Sequence, residues 1–296
     1  MRLAISLTAL FGLGLATLVR ADDAFGPVQV PASARNFQIG SLKLTALHDA
    51  QYVVPNDGKT FGVDAGIGAV GELLRAKGLP TDRITLSVNA LLVRTGGRVL
   101  LLDSGLGPKA HGGLMASLKE AGVSPGSVTD VLITHSHGDH VGGLLDAAGH
   151  LAYPKATIRM AANEWAWLKT QGPEDLVKGI AAHVRTFEPG ARIAPGVSSV
   201  ALDGHTPGHV GYEIASGRSH LLDIGDLAHS SIVSLAKPSW TMGFDNNANL
   251  AKTTRLNQLA AIAKEKEFVF APHFPYPGVG HVVADVDAYA WKAELP

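Results

Sequence analysis

The segment Ile133-Thr134-His135-Ser136-His137-Gly138-Asp139-His140-Val141-Gly142-Gly143 decides how this chain is interpreted. It begins inside an apolar run, Val128–Thr134, that predicts a buried strand. Side chains alternate in direction along a strand, so His135 and His137 point the same way and can hold one cation together. Gly138 permits a tight turn, after which Asp139 and His140 face the same space from the start of a helix. Imidazole and carboxylate are ligands that zinc accepts, so the segment predicts a metal site at a strand-to-helix junction.

Three other predicted strands end at further candidate ligands. The turn Gly204-His205-Thr206-Pro207-Gly208-His209 follows one of them, and we expect only one of its two histidines to reach a metal. Asp226 follows the strand His220–Ile224, and His273 follows the strand Phe268–Ala271. A lone histidine is usually structural, but this concentration of ligand types at strand ends is typical of a functional site.

Composition restricts what such a site can contain. The chain has 296 residues, of which 46% are hydrophobic and 17% charged, as in folded globular proteins. Its net charge of -1 provides no basic surface for nucleic acid or anionic lipid. The absence of cysteine excludes a disulfide scaffold, a cysteine nucleophile, a zinc finger and a thiolate-bound iron–sulfur cluster. With 13 histidines, a transition-metal site in this chain must be built from imidazole and carboxylate.

The strand pattern predicts two related halves. Val93–Gly105 and Ile214–Gly225 each contain a strand, a glycine turn and a leucine-rich strand that ends on Asp and Gly. Strands that are apolar on both faces need a covering layer on each side. The sequence therefore predicts two sheets packed face to face with helices outside, in a single domain over residues 37–296. The predicted helices are Leu114–Ala121, Val141–Ala148, Asn163–Thr170, Glu174–Phe187 and Asn249–Lys264.

The first residues have the pattern of an export signal. Arg2 precedes the uncharged stretch Leu3–Val19, which is short for a membrane-spanning helix, and small residues precede a cleavage point after Ala21. We therefore expect residues 1–21 to be a signal peptide and residues 22–36 a leader lying against the domain. This predicts a periplasmic or secreted protein that does not associate with the membrane after cleavage.

The ligand motifs resemble those of the metallo-β-lactamase-fold hydrolases over nearly the whole predicted domain. The stretch Pro272–Val282 is similar, more narrowly, to the methyl parathion hydrolase branch. The resemblance implies an α/β fold, an αββα four-layer sandwich of two mixed sheets with helices on both outer faces and the site at one sheet edge. It further implies two divalent ions, zinc above all, with manganese, cobalt and iron as alternatives. The implied ligands are His135, His137 and His209 for one ion, Asp139, His140 and His273 for the other, and Asp226 between them.

Other residues receive supporting roles. Asp103 ends a buried strand and is a candidate to orient a ligand imidazole, and His205 is predicted to support the ligands from the turn. Trp167, Phe274 and Tyr276 are the candidate substrate-binding residues. His281 is a reserve ligand. The remaining histidines are predicted to be surface or packing residues: His48, His111, His150, His183, His220 and His229.

These expectations lead to a hydrolase. Two divalent ions held by imidazoles and carboxylates would turn a bound water into a bridging hydroxide, the nucleophile, and would polarise a carbonyl or phosphoryl oxygen. Asp139 would pass the proton to the leaving group. The substrate is predicted to be a small ester, lactone or phosphotriester. The loop Leu106–Gly113 and the segment Asp175–Arg185 lack the aromatic residues of the methyl parathion hydrolase branch, which favours an aryl ester or lactone. A homodimer is compatible with the resemblance.

Several alternatives remain open at this point. A metallo-β-lactamase would hydrolyse a β-lactam amide, and a glyoxalase II-type thioesterase would use the same seven ligands. A persulfide dioxygenase would carry a single iron and consume oxygen. A metal-binding protein without catalytic activity is the non-enzymatic alternative, although a decayed site normally loses a ligand and here every position is filled.

Overall fold

Two β-sheets form the middle of the molecule. The computed structural model describes residues 25–286 and 288–296, so the predicted signal peptide lies outside the described residues. The strands of the first sheet are β1 (Gly26–Val28), β2 (Ser33–Ile39), β3 (Leu42–Pro55), β4 (Arg83–Thr95), β5 (Arg98–Leu102), β6 (Asp130–Leu132), β7 (Thr157–Ala161) and β8 (Val184–Phe187). Their order is β1-β3-β4-β5-β6-β7-β8, with β2 also paired to β3. Pairing is antiparallel from β1 to β5 and parallel from β5 to β8, so the sheet is mixed.

The second sheet is also mixed. Its strands are β9 (Arg192–Ala194), β10 (Val197–Ala201), β11 (Val210–Ser216), β12 (Ser219–Asp223), β13 (Phe268–Phe270), β14 (Val279–Asp285) and β15 (Ala288–Ala293). They follow one another in space in the order of the sequence, and only β12 and β13 are parallel among the described pairs. The hairpins β4-β5 and β11-β12, each followed by a parallel strand, are the two related halves predicted from the sequence.

Helices cover the outer face of each sheet. They are α1 (Gly66–Ala76), α2 (Leu114–Glu120), α3 (Gly138–Val141), α4 (Ala162–Gln171), α5 (Glu174–Ile180), α6 (Val233–Ala236) and α7 (Ala248–Glu265). Apolar residues of α2, α3, α4 and α5 pack on the first sheet, and those of α7 pack on the second. None of the helices within the described residues has both the length and the hydrophobicity that a membrane crossing requires.

Strand β5 shows how the layers are held together. Leu100 and Leu102 are buried between the two sheets, whereas Leu101 faces the helices on the outer side. Burying a leucine side chain contributes about 1.5–3 kcal/mol, so a strand buried on both faces is stable only inside a layered core. The predicted αββα sandwich is confirmed.

Three boundary predictions were wrong. Residues 26–28 and 33–36, predicted as part of a leader, lie in strands of the first sheet. The helix predicted at Val141–Ala148 is instead α3, which ends at Val141 and is followed by a single 3-10 turn, Gly142–Leu144. This turn packs so closely on residues 104–106 that a Cβ on Gly143 would overlap the carbonyl oxygen of Ser104. The helix predicted at Glu174–Phe187 ends at Ile180, and β8 pairs with β7 instead. Its β-branched and aromatic residues favour that strand.

Candidate metal centre

The predicted ligands, and Asp103 that was predicted to orient one of them, lie where strands of both sheets end. Asp103 follows β5, His135 follows β6, Asp226 follows β12 and His273 follows β13. Both strand pairs are parallel, so the carboxyl ends of their members lie at the same edge of each sheet. Packing the two sheets face to face therefore brings these four chain segments together.

A first group of donors surrounds one point in the interior. Nε2 of His205 lies 2.9 Å from Nδ1 of His137 and 3.2 Å from Nε2 of His135. Nε2 of His135 in turn lies 3.2 Å from Nδ1 of His137. Oδ2 of Asp226 is 3.2 Å from the His205 nitrogen and 3.5 Å from that of His135. Three imidazoles and one carboxylate oxygen thus converge.

A second group lies on the other side of Asp226. Nε2 of His140 and Nε2 of His273 are 3.3 Å apart. Oδ1 of Asp226 lies 3.3 Å from the first of these nitrogens and 3.1 Å from the second. Oδ2 of Asp139 is 3.5 Å from the His273 nitrogen. Asp226 therefore presents one carboxylate oxygen to each group, which is the arrangement of a bridging ligand.

These donor sets fit a pair of divalent cations. Tetrahedral zinc with Zn–N distances of about 2.0–2.1 Å places two ligand nitrogens about 3.3–3.4 Å apart, close to the separations within both groups. Oδ1 of Asp226 is buried and has no hydrogen-bond partner among the described residues. A buried carboxylate oxygen without a partner is costly, and a cation at this point removes that cost.

Electrostatics favour the same conclusion. Burial alone would raise the pKa of Asp226, yet His273, His140 and His135 around it hold that pKa well below its usual range. Burial and the neighbouring His205 together lower the pKa of His137 to about 4, which leaves a neutral imidazole with a free lone pair. Although burial opposes it, the carboxylates around the other imidazoles raise the pKa of His140 and His273 and raise that of His205 to about 9. Positive charge is thus favoured at this point, and metal ions can supply it in place of these protons.

The two histidines of the turn have exchanged their predicted roles. His209 was predicted to be a ligand, but its Nδ1 donates to the carbonyl of Leu202 at 2.9 Å and its Nε2 accepts the backbone N–H of Asp226 at 3.0 Å. Both of its nitrogens are therefore used by the backbone. His205, predicted only to support the ligands, supplies the donor of the first group instead.

Strong supports hold the ligand segments. Oδ2 of Asp103 accepts from Nδ1 of His140 at 2.7 Å, and its Oδ1 accepts the backbone N–H of Thr134 at 2.8 Å. Nδ1 of His273 donates to the carbonyl of Ser87 at 2.8 Å. In each case the nitrogen opposite the support points into the centre, because the support fixes where the imidazole proton lies.

Glu164 is a support that sequence reasoning missed. It lies in the first turn of α4, is fully buried and accepts four hydrogen bonds. Its Oε1 accepts from the N–H and hydroxyl of Ser136, while its Oε2 accepts from the hydroxyl of Thr206 and the N–H of Gly208. One carboxylate thus ties the segment of His135 and His137 to the turn of His205. A lone glutamate in a helix carries no sequence signal of this role.

His229 was also missed, since it was placed among the surface or packing residues. It is 2% exposed, and its Nε2 lies 3.3 Å from Oδ2 of Asp226 without forming a hydrogen bond. Its ring stacks against that of Phe244, with centroids 5.1 Å apart. The only sequence signal is its position three residues after Asp226.

The predicted aromatic contacts are mostly wrong. Phe274 is fully buried beneath the second sheet against Trp291, and Tyr276 stacks on His48 away from the centre. The amide of Asn89 donates to the carbonyls of Pro272 and Phe274, and this fixes the loop with His273 alone directed inward. Trp167 is near the centre, with its ring centroid 5.8 Å from that of His137. His281 donates to the carbonyl of Glu267 and is no reserve ligand.

A cavity of about 730 Å³ opens onto the donors. Its polar floor contains His137, Asp139, Asp226, His229 and His273. Its walls are mainly apolar and include Pro27, Tyr52, Val54, Leu86, Leu106, Ala110 and Phe244. A concave site with apolar walls and a few convergent polar groups suits a small molecule whose reacting group is polar.

Comparison with known proteins agrees with this geometry. Residues 83–295 match the model of the metallo-beta-lactamase superfamily. The uncharacterized protein YobT of Bacillus subtilis (strain 168) is 27% identical over 136 residues, 42% of this chain and 56% of that protein. An N-acyl homoserine lactonase of Bacillus cereus is 25% identical over 160 residues, 54% of this chain and 61% of that protein. The matched region thus spans little more than half the length of these two relatives.

Solved structures give longer matches. AidC, a dizinc quorum-quenching lactonase, superposes with a TM-score of 0.83 at 25% identity, over 89% of this chain and 98% of its own. AbOPH, a hydrolase in the beta-lactamase superfamily, superposes with a TM-score of 0.80 at 29% identity over the same shares. The superfamily match over residues 83–295 includes every segment that carries a donor.

Proposed function

Since the chain belongs to the metallo-beta-lactamase superfamily and to its metal-dependent hydrolases, we propose that it opens lactones and cleaves carboxylic esters of small molecules. The observation that carries this proposal is the convergence of seven donors around the bridging position of Asp226, at the floor of a cavity. We assign His135, His137 and His205 to one ion and Asp139, His140 and His273 to the other. The ions themselves are proposed to be zinc, as in AidC.

The chemistry divides between the ions and the chain. When bound, the two ions supply a water-derived nucleophile at neutral pH and draw electron density from the carbonyl oxygen. Asp139 lies at the cavity floor, and although burial opposes its ionisation, His140 and His273 hold its pKa below the usual range. Its carboxylate is therefore ionised at neutral pH and can accept a proton from the attacking water. That proton then passes to the leaving oxygen as the carbonyl–oxygen bond breaks.

The cavity supports the choice of substrate. Its apolar walls suit an aliphatic or aromatic substituent next to the reacting carbonyl, and its exposure to solvent admits a small molecule rather than a folded partner. The dizinc lactonase and N-acyl homoserine lactonase relatives are consistent with lactones as one such class. The aromatic residues of the wall are Tyr52 and Phe244 rather than those predicted from the sequence.

A substrate panel tests the proposal. The zinc-loaded protein is assayed with p-nitrophenyl esters, γ-lactones with and without an N-acyl chain, a paraoxon-type phosphotriester and nitrocefin. We expect turnover of esters or lactones well above that of the other two, and loss of that turnover in Asp139→Asn. Efficient nitrocefin hydrolysis would favour a metallo-β-lactamase, and dominant phosphotriester hydrolysis would favour the methyl parathion hydrolase branch. Either result would contradict the proposal.

We further propose that residues 1–21 direct export, which rests on the sequence pattern alone. The mass of the protein recovered from the periplasm or medium should correspond to a chain that begins near Asp22. A mature chain that retains Met1 would contradict this.

A further inference from the structure

A buried carboxylate contacts His205, and neither of the two residues is among those that line the cavity. Oδ1 of Asp245 lies 3.0 Å from Nδ1 of His205, and the side chains of both residues are almost fully buried. An ionised carboxylate can only accept, so Nδ1 of His205 donates and carries the imidazole proton. The lone pair of Nε2 is thereby directed at the first group of donors. Metal-binding histidines in proteins are commonly held in this way.

Arg255 forms the next contact, with the other carboxylate oxygen of Asp245. It lies on α7, is 1% exposed, and its two terminal nitrogens are each 3.4 Å from Oδ2 of Asp245. The same guanidinium donates from Nε to the carbonyl of Pro238 at 2.9 Å and from Nη2 to that of Trp240 at 3.3 Å. Replacing a buried ion pair by apolar residues is often neutral or stabilising, so stability alone does not explain this pair.

The backbone of the His205 turn is held independently of the pair. The N–H of Asn246 donates to the carbonyl of His205, and that of Asn247 donates to the carbonyl of Gly204, both at 2.9 Å. The hydroxyl of Thr254 donates to the carbonyl of Asp203 at 2.8 Å. The beginning of α7 therefore fixes where the turn lies. Asp245 and Arg255 therefore have a separate role, which is to fix the orientation of the His205 imidazole and the nitrogen that carries its proton.

The second group of donors has different supports. His140 donates to Asp103 and His273 to the carbonyl of Ser87. Neither support is among the hydrogen-bond partners of Asp245 or Arg255. Among the donor side chains, Asp245 forms its hydrogen bond with His205 of the first group. Arg255 also donates to the carbonyl of Leu227, next to Asp226, at 3.5 Å, so Asp245→Asn is the sharper test of the imidazole itself.

We propose that Asp245 and Arg255 are positioning residues for the first metal group and set its affinity for a cation without setting that of the second group. The proposal rests on the proposed binuclear centre. Removing an outer partner of a metal-bound histidine typically lowers metal affinity by about 10–100-fold. We therefore expect weaker binding of one of the two metal ions only. A general loss of protein stability would weaken the binding of both.

Titration of the metal-free protein with Co²⁺ tests this, followed by absorption and by competition with a chelator. The variants are Asp245→Asn, Arg255→Met and the double variant. In each single variant we expect the affinity of one Co²⁺ to fall about 10–100-fold and that of the other to change less than about threefold. The double variant, which leaves no unpaired charge, should recover thermal stability relative to Arg255→Met but not the lost affinity.

Arg98→Met is the matched control, because Arg98 also pairs with a buried carboxylate, Asp130, at the opposite end of β6. It should leave both Co²⁺ affinities unchanged. Equal losses at both sites, or no loss at either site, in folded Asp245→Asn would overturn the proposal. A wild-type protein that binds no second Co²⁺ would overturn the binuclear centre itself, and this inference with it.

Discussion

His209 accepts the backbone N–H of Asp226 on its Nε2 at 3.0 Å, so this histidine holds the backbone of the bridging carboxylate instead of facing the donors. Burial lowers the pKa of His209 to about 3, which keeps the imidazole neutral and able to accept that bond. His205, four residues earlier, points into the first group. The two histidines of one turn therefore have different functions.

Substitution of the two histidines separates these functions. His205→Ala should lower the bound metal from two ions per chain to about one and reduce hydrolysis more than about 100-fold, because the proposed centre would lose a direct ligand. His209→Gln should retain both ions while losing about 1–3 kcal/mol of stability, because a buried N–H or carbonyl loses its partner. Elemental analysis of the purified variants, together with thermal unfolding, measures both effects. Loss of metal in His209→Gln alone would reverse the assignment.

Glu164→Gln tests the link between the two ligand segments. The amide can no longer accept on one side, so two of the four buried donors lose their acceptor at about 1–3 kcal/mol each. We expect a lower melting temperature and weaker metal retention during dialysis against a mild chelator. The control is Glu174→Gln, on the exposed surface of α5, which should change neither property. Unaltered metal retention in Glu164→Gln would refute the link.

Asp49 should make stability depend on pH. Burial raises its pKa to about 6, despite hydrogen bonds from the N–H groups of Leu106 and Leu114 to its carboxylate. A group with a raised folded-state pKa contributes stability that is complete below its ordinary pKa and is lost as pH rises through the folded value. The contribution should therefore disappear between about pH 4 and pH 6 and amount to at most about 3 kcal/mol.

Comparison with Asp49→Asn isolates this group from others that titrate in the same range. The unfolding free energy of the wild-type protein minus that of the variant should decrease as pH rises from 4 to 7. Chemical denaturation at several pH values measures it. A difference that stays constant with pH would show that the pKa of Asp49 is the same in the folded and unfolded protein, and a shift in the opposite direction would show that folding lowers this pKa. Either result would contradict the prediction.

Phe244→Ala tests the apolar wall of the cavity. The ring lines the cavity and is partly exposed, so its removal should raise KM for substrates with a long apolar chain by about tenfold and leave acetyl esters nearly unchanged. Leu256→Ala, an exposed residue of α7, is the control and should have no effect on KM. An equal rise in KM for short and long substrates would argue against a role of this wall in recognition.

Local sequence patterns account for much of the fold and the centre. The alternation of His135 and His137, the glycine that follows them and the apolar runs before Asp226 and His273 all describe neighbours in the chain. Such short-range features determine which residues stand at strand ends, and the layered core then brings the ends together. The sandwich could therefore be predicted, as could the convergence of most donors.

The remaining assignments depend on residues distant in sequence. His205 is selected over His209 by Asp245 and by the start of α7, which lie about 40 residues further along the chain. The backbone of Phe274 is held by Asn89 and the ring of Tyr276 stacks on His48, both on the opposite sheet. No local pattern encodes such contacts, and a single sequence taken by itself carries no signal that pairs them.

Metal content measured against activity provides the decisive experiment. The metal-free protein is reconstituted with increasing zinc, and bound ions per chain and ester or lactone hydrolysis are measured on the same samples. We predict saturation at two ions per chain, with hydrolysis absent in the metal-free protein and complete when both ions are bound. Hydrolysis that persists without metal, or a native protein with one iron per chain that consumes oxygen, would contradict the binuclear hydrolase.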